Sequence, residues 1–263
     1  ATSQTASGVR SADRWYLNLS GATATASRGS FTDGQTTVPG NPQFYMALNV
    51  TTGNDNCGWQ YRREGTWQFA NDVYTLSFWA KSATPRAMTV SSDSHDVSAD
   101  VNSSHTVSPS TFTPTSSWQK FTFTITHSNM SGLGSYAIAD WTRISINQGS
   151  DTSTAAWKLD LAQVQFEKGD KATPFDHSRS YADELIQCQR YYFESGSQYH
   201  YHGSDNDGKH KHFELQTQMR TSPTITTSSL PSGMSFNRSR PTFATFVNAT
   251  AGGDVSFEAD AEL

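Results

Sequence analysis

Strict alternation of apolar and polar residues limits what this chain can become more than any other feature. In Phe121-Thr-Phe-Thr-Ile-Thr126 every apolar residue falls on one side of an extended backbone and every threonine on the other. That is the pattern of an antiparallel strand with one face buried and one wet. The same period of two recurs at Arg14–Ser20, Gln43–Val50, Gly58–Glu64, Val73–Ser82, Arg86–Asp93, Trp118–Thr126, Thr142–Gln148 and Trp157–Glu167. Turn formers separate these segments, so the chain is expected to be all-β, a jelly-roll β-sandwich.

The texture then changes. Ser178–Tyr192 is the one convincing helical stretch: Ser180 can cap it, Asp183 completes a capping-box pattern, and Tyr181, Leu185, Cys188 and Tyr192 form an apolar stripe. Strand-like segments return at Arg190–Gly196, His212–Ser228, Phe243–Thr250 and Asp254–Leu263. We place a boundary there, with a jelly-roll domain over residues 1–175 and a helix plus small β-domain over 176–263. A core of fewer than a hundred residues is marginal, and oligomerisation would support it.

Charged residues make up 16 % of the chain and the formal net charge is −5. Neither suits nucleic acid or an anionic membrane surface, which reward a basic face. No apolar run approaches the roughly 18–20 residues of a membrane helix. Cys57 and Cys188 are read as reduced, buried thiols rather than a disulfide framework. Sequons at Asn18, Asn49, Asn102, Asn129, Asn237 and Asn248 are read as chance matches in a chain rich in Asn, Ser and Thr. The opening Ala-Thr-Ser-Gln carries no initiator Met, and the chain is expected to be the distal part of a longer polypeptide.

No nucleophile elbow, zinc-protease motif or P-loop occurs. Asp100 with Asp93 or Asp96 gives a carboxylate pair, but sequence spacing alone supplies no glycosidase geometry. No repeat is present to build an extended catalytic scaffold. The chain is expected not to be an enzyme.

Aromatic residues are the candidate saccharide contacts, because sugars stack apolar C–H faces on rings while amides and charged groups take the hydroxyls. Trp59, Tyr61 and Arg63 alternate onto one face, Trp67 follows, and Trp141 succeeds a Gly-rich loop. Packing inside the sandwich is the competing reading for the tryptophans. Tyr199 and Tyr201 would stand at a distal hairpin, where recognition residues concentrate. That hairpin is also histidine-rich: His200 and His202 precede the turn Gly203–Gly208, and His210 and His212 follow it. If the two strands pair, four imidazoles could converge on a divalent metal. In a trimer, one His-x-His per chain on the three-fold axis would supply six nitrogens. Two other readings stand beside the metal: an exposed polar hairpin, and direct contact with a receptor. Lys209 and Lys211 disfavour a cation.

The passage Leu159–Phe193 resembles a signature of bacteriophage tail-fibre and related virion structural proteins. It carries Ala162-Gln-Val-Gln-Phe-Glu167, Gly169, Ala172-Thr-Pro-Phe175, Glu184-Leu185 and Cys188-Gln-Arg-Tyr-Tyr192. Ser11–Leu17, Tyr74–Ser82 and the ending Phe257–Leu263 fit as well. The resemblance implies a carbohydrate-binding-module-like jelly roll followed by a small C-terminal β-domain. It further implies a homotrimer at the virion surface, on tail or capsid, made in the host cytoplasm. Other virion proteins would attach through an upstream part, and a bacterial surface glycan would be the receptor in host adhesion. One departure matters: many such modules carry an acidic calcium ligand where this chain has Ala162, so that site is not carried over. Two alternatives stand beside this reading. One is a purely architectural virion decoration or connector; the other is a carbohydrate-binding module of a larger hydrolase.

Overall fold

The computed structural model describes residues 5–6, 10–12, 15–53, 57–130, 133, 140–149, 153–176, 181–196, 199–201, 211–247 and 253–261. The chain divides into two compact units, residues 1–176 and 177–263.

The first unit holds β1 (Arg10–Ala12), β2 (Trp15–Asn18), β3 (Thr23–Ser30), β4 (Phe44–Thr52), β5 (Gly58–Glu64) and β6 (Val73–Lys81). It continues with β7 (Met88–Asp96), β8 (Val101–Ser108), β9 (Thr111–Phe112), β10 (Gln119–Thr126), β11 (Trp141–Asn147) and β12 (Trp157–Lys168), and a single 3-10 turn spans Trp67–Phe69. The strands follow one hydrogen-bonded path, β1-β2-β5-β11-β7-β8-β10-β6-β12-β4-β3, with β9 beside β7. All pairings along it are antiparallel. β8 belongs to both layers: Val101–His105 pair with β7, and Thr106–Ser108 pair with β10.

The core explains why the alternation folds this way. Leu17, Trp59, Ile144, Ile146 and Val90 from one layer share a buried cluster with Leu48, Leu76, Phe78, Phe123, Ile125 and Leu159 from the other. Phe78 stacks on Phe123 at 5.3 Å between centroids. Each such buried side chain contributes about 1.5–3 kcal/mol, which is what fixes the register: a slip of one residue would turn the whole set outward. Cys57 lies in this core, and burial pushes its thiol up to about 11.

The second unit holds α1 (Tyr181–Gln189), β13 (Tyr192–Glu194), β14 (Tyr199–Tyr201), β15 (Lys211–Glu214), β16 (Thr224–Ser229), β17 (Ser235–Arg240), β18 (Phe243–Val247) and β19 (Gly253–Asp260). β19 pairs with β13, β14 and β16, while β18 pairs with β15 and β17. Phe193, Phe246, Val255 and Phe257 centre its core.

Two expectations change here. The helix stops at Gln189, and Tyr192 lies in β13, 40 % exposed, with Leu185 41 % exposed. The stripe therefore does not form. Backbone bonds from Arg220 to Arg190 O and from Ala261 to Tyr191 O draw the chain into the sheet instead. The expected run His212–Ser228 is likewise two strands, β15 and β16, in different sheets.

Candidate functional site

On β2, β5, β11 and β7 the residues that alternate with the core set share the outward face of their layer. Register places Tyr16 opposite Gln60 on β2 and β5, and Ser145 opposite Gln60 on β5 and β11. Arg62 stands opposite Arg143, and Arg143 in turn opposite Asp93 on β7. A cavity of about 390 Å³ opens on this face. Its walls are Tyr16 and Asn18 with Ser20 beyond them, Gln60 and Arg62 of β5, Ser91 of β7, and Arg143, Ser145 and Asn147 of β11.

Local chemistry holds these groups in place. Arg143 makes a two-point contact to Asp93, Nε to Oδ1 at 2.8 Å and Nη2 to Oδ2 at 2.9 Å. That fork geometry fixes the guanidinium plane. The Arg62 guanidinium lies over two rings, 4.2 Å from the Tyr16 centroid and 4.7 Å from Trp141, and donates to Gln60 Oε1 at 3.3 Å. Asn147 Oδ1 accepts the Gly149 N–H at 2.8 Å; Gly149 has φ +71°, a conformation that suits a residue without Cβ. At Gly58, a Cβ would meet Ile146 O and, at 2.6 Å, Asn147 Cα, so only glycine lets β5 lie this close beside β11.

Beneath the floor runs a buried polar chain. Thr142 Oγ1 donates to Gly65 O at 3.0 Å and lies 2.8 Å from Ser94 Oγ, which lies 2.9 Å from His105 Nε2. Since the Thr142 proton goes to Gly65, Ser94 donates to Thr142 and His105 Nε2–H donates to Ser94. Burial lowers the His105 pKa, with Asp93 working against it. His105 stacks on His127 at 4.1 Å, and burial with the neighbouring His105 pushes His127 down to about 3.

The structure separates the residues expected from sequence. Trp59 is 1 % exposed and belongs to the core, which removes it as a sugar platform. Tyr61 is half-buried against Trp15, and Arg63 lies across Phe69 at 5.3 Å. Trp59 and Tyr61 thus turn toward the core side of β5, and the cavity belongs to Gln60 and Arg62. Trp141 is on the cavity face but 9 % exposed, covered by Arg62, Arg143 and His95. Trp67 is 62 % exposed on the 3-10 turn and does not line the cavity. Asp160 pairs with Lys81 at 3.5 Å.

Tyr199, His200 and Tyr201 form β14, whose described pairing is with β19; His212 is in β15, paired with β18. The expected hairpin pairing of these two strands does not occur among the described residues, because each is taken by a different sheet. His202 and His210 lie outside the described residues. The His212 ring is edge-on to Phe243 at 5.1 Å, with Nδ1 3.2 Å from Thr245 Oγ1. Sequence reading missed Tyr16, Asn18, Gln60, Arg62, Ser91, Arg143, Ser145 and Asn147. The available signal was that both apolar residues of Gly58–Glu64 alternate with Gln60 and Arg62, which leaves the polar pair to face outward.

No family model matches the chain, and no curated protein matches it. Solved structures of similar fold include a structure described as CBM4, with 22 % identity over 60 % of this chain and 88 % of that one at a TM-score of 0.39. The CBM22-1 xylan-binding domain of Paenibacillus barcinonensis Xyn10C gives 12 %, 65 %, 95 % and 0.41. The N-terminal cellulose-binding domain of Cellulomonas fimi β-1,4-glucanase C gives 18 %, 56 %, 90 % and 0.36. At these levels no ligand and no binding residue passes from them to this chain.

Proposed function

We propose that this chain is a saccharide-binding protein without catalysis of its own, a carbohydrate-binding module that holds its ligand in the cavity of the β2-β5-β11-β7 face. The cavity itself carries the reading. Its volume, about 390 Å³, falls in the range of roughly 300–1,000 Å³ typical of small-molecule sites. Its walls combine one aromatic ring with amides, hydroxyls and guanidinium groups, the mixture that a polyhydroxylated ligand needs. Among the described residues the lining holds no carboxylate, and glycoside cleavage would call for two. Affinity electrophoresis against a panel of soluble neutral and acidic polysaccharides tests the reading. At least one should retard the protein, and Tyr16→Ala together with Gln60→Ala should weaken that retardation by tenfold or more. Failure of every polysaccharide to bind at millimolar saccharide refutes it.

A second reading sets the same cavity in a phage tail fibre or similar virion protein. The passage Leu159–Phe193 favours it through its resemblance to that family. Three tethered copies of a weak site would raise avidity by about 10²–10⁴. Light scattering on the purified chain should then return a trimer; a monomer would favour the module of a larger protein.

A further inference from the structure

We infer that the ligand of this cavity is an acidic saccharide, one whose carboxylate or sulfate ester lies between Arg62 and Arg143; the inference rests on the saccharide-binding reading above. The first observation is the register. Arg62 and Arg143 are direct cross-strand partners on β5 and β11, and like charges placed directly opposite one another destabilise a sheet. The pairing sets two guanidinium groups side by side on the cavity face, and rules of sheet pairing are broken most often where function requires it.

The second observation is the lining. Both cations wall the cavity, and among the described residues no carboxylate does. Asp93 answers Arg143 from the β7 side, engaging Nε and one terminal nitrogen and leaving the other terminal nitrogen for a ligand. Glu64 stands one same-face step further along β5, opposite Trp141 and outside the lining. Arg62 is held over Tyr16 and Trp141, so its guanidinium is oriented before any ligand arrives. Little side-chain freedom then remains to be lost on binding. Planar, forked donors of this kind recognise planar or tetrahedral oxyanions far better than isolated hydroxyls.

The protein's formal net charge of −5 sharpens the test, because non-specific attraction of a polyanion is not expected from the surface as a whole. Titration calorimetry on the full chain would compare oligogalacturonate with its methyl ester, which keeps the sugar and masks the charge. Dextran sulfate against dextran makes the matched sulfate pair. The expected result is at least tenfold tighter binding of an acid form than of its neutral counterpart at low salt. That margin should shrink as salt rises and disappear in Arg62→Gln. Preference for dextran sulfate alone assigns the anion as a sulfate ester and supports the inference; preference for oligogalacturonate assigns it as a carboxylate. Equal binding of the acid and its neutral counterpart by the wild-type protein overturns the inference while leaving saccharide binding intact. Failure of all four probes, together with every polysaccharide of the broader panel, overturns both. The wild-type comparison decides the matter even if Arg62→Gln does not fold.

Discussion

Lowering the pH from 7 to 5 should weaken the first unit, and His127 is the main reason. Its ring is 1 % exposed, packed among Phe69, Tyr74 and Phe166 and stacked on His105. Burial and then the neighbouring His105 hold its pKa down at about 3, while Asp72 pulls the other way from within an ion pair with Lys168. His105 is lowered too, by burial against the opposing pull of Asp93. The unfolded chain takes up its proton near 6.5 and the folded chain only near 3. The stability is therefore whole above 6.5 and is lost as the pH falls from 6.5 toward 3. Each pH unit in that window removes about 1.4 kcal/mol, so pH 5 should cost about 2 kcal/mol from His127 alone. For a unit of this size that is about 4–8 °C in Tm. All seven tryptophans lie between residues 15 and 157, so tryptophan fluorescence during thermal or urea unfolding reports on the first unit. Neither ring nitrogen of His127 has a hydrogen-bond partner among the described residues, so His127→Phe deletes a charge site without orphaning a bond. The variant should retain wild-type stability at pH 7 to within about 1 kcal/mol and lose less than half as much as wild type between pH 7 and 5. An unchanged pH 7-to-5 loss in His127→Phe would refute the reasoning.

Three further outcomes are expected. Arg143→Ala leaves Asp93, 8 % exposed, without its two charge-assisted bonds and should destabilise the first unit by about 1–3 kcal/mol; Arg143→Lys keeps the charge but not the fork and should recover only part of it in urea melts. Gly58→Ala drives a Cβ into Ile146 O and Asn147 Cα, so it should cost about 1–3 kcal/mol and weaken saccharide binding by altering the cavity floor. Gln148→Ala removes the acceptor of the Trp157 Nε1–H, a buried bond of 2.7 Å; a loss of about 1–3 kcal/mol with a changed emission from Trp157 would follow.

The strands that the sequence displays most openly are those with large apolar residues on one face. Gly58–Glu64 is β5 to the residue, and Trp157–Glu167 is β12 short of one. β3, Thr-Ala-Thr-Ala-Ser-Arg-Gly-Ser, and β8, Val-Asn-Ser-Ser-His-Thr-Val-Ser, escaped notice. Their inward residues are as small as Ala24 and Ala26 or as polar as His105, and such residues alternate too faintly to stand out from a turn-rich chain. The site was harder still. Asn18, Gln60, Ser91 and Ser145 are ordinary polar residues in their own strands and become a wall only through cross-strand register, which no single segment contains. Trp59 and Tyr61 misled because the ring chemistry that suits a sugar also suits a core, and hydrophobic burial decides between them.

The bent strand β8 leaves the sandwich bound along one side like the pages of a book. Its first half is laced to β7 and its second to β10, so separation of the layers at that side must break backbone hydrogen bonds. At the other side the path ends in β1 and β3, where among the described residues no strand pairing joins the layers and the turn Leu19–Ala22 links β2 to β3. Backbone amides should therefore exchange with solvent along a gradient, slowest near the spine and fastest toward β2 and β3. Tyr16 and Asn18 sit on the loose page, and Gln60, Arg62 and Arg143 on the leaves beside it. A ligand that bridges them would act as a clasp, and its arrival should be visible as slowed exchange in β2, far from the spine.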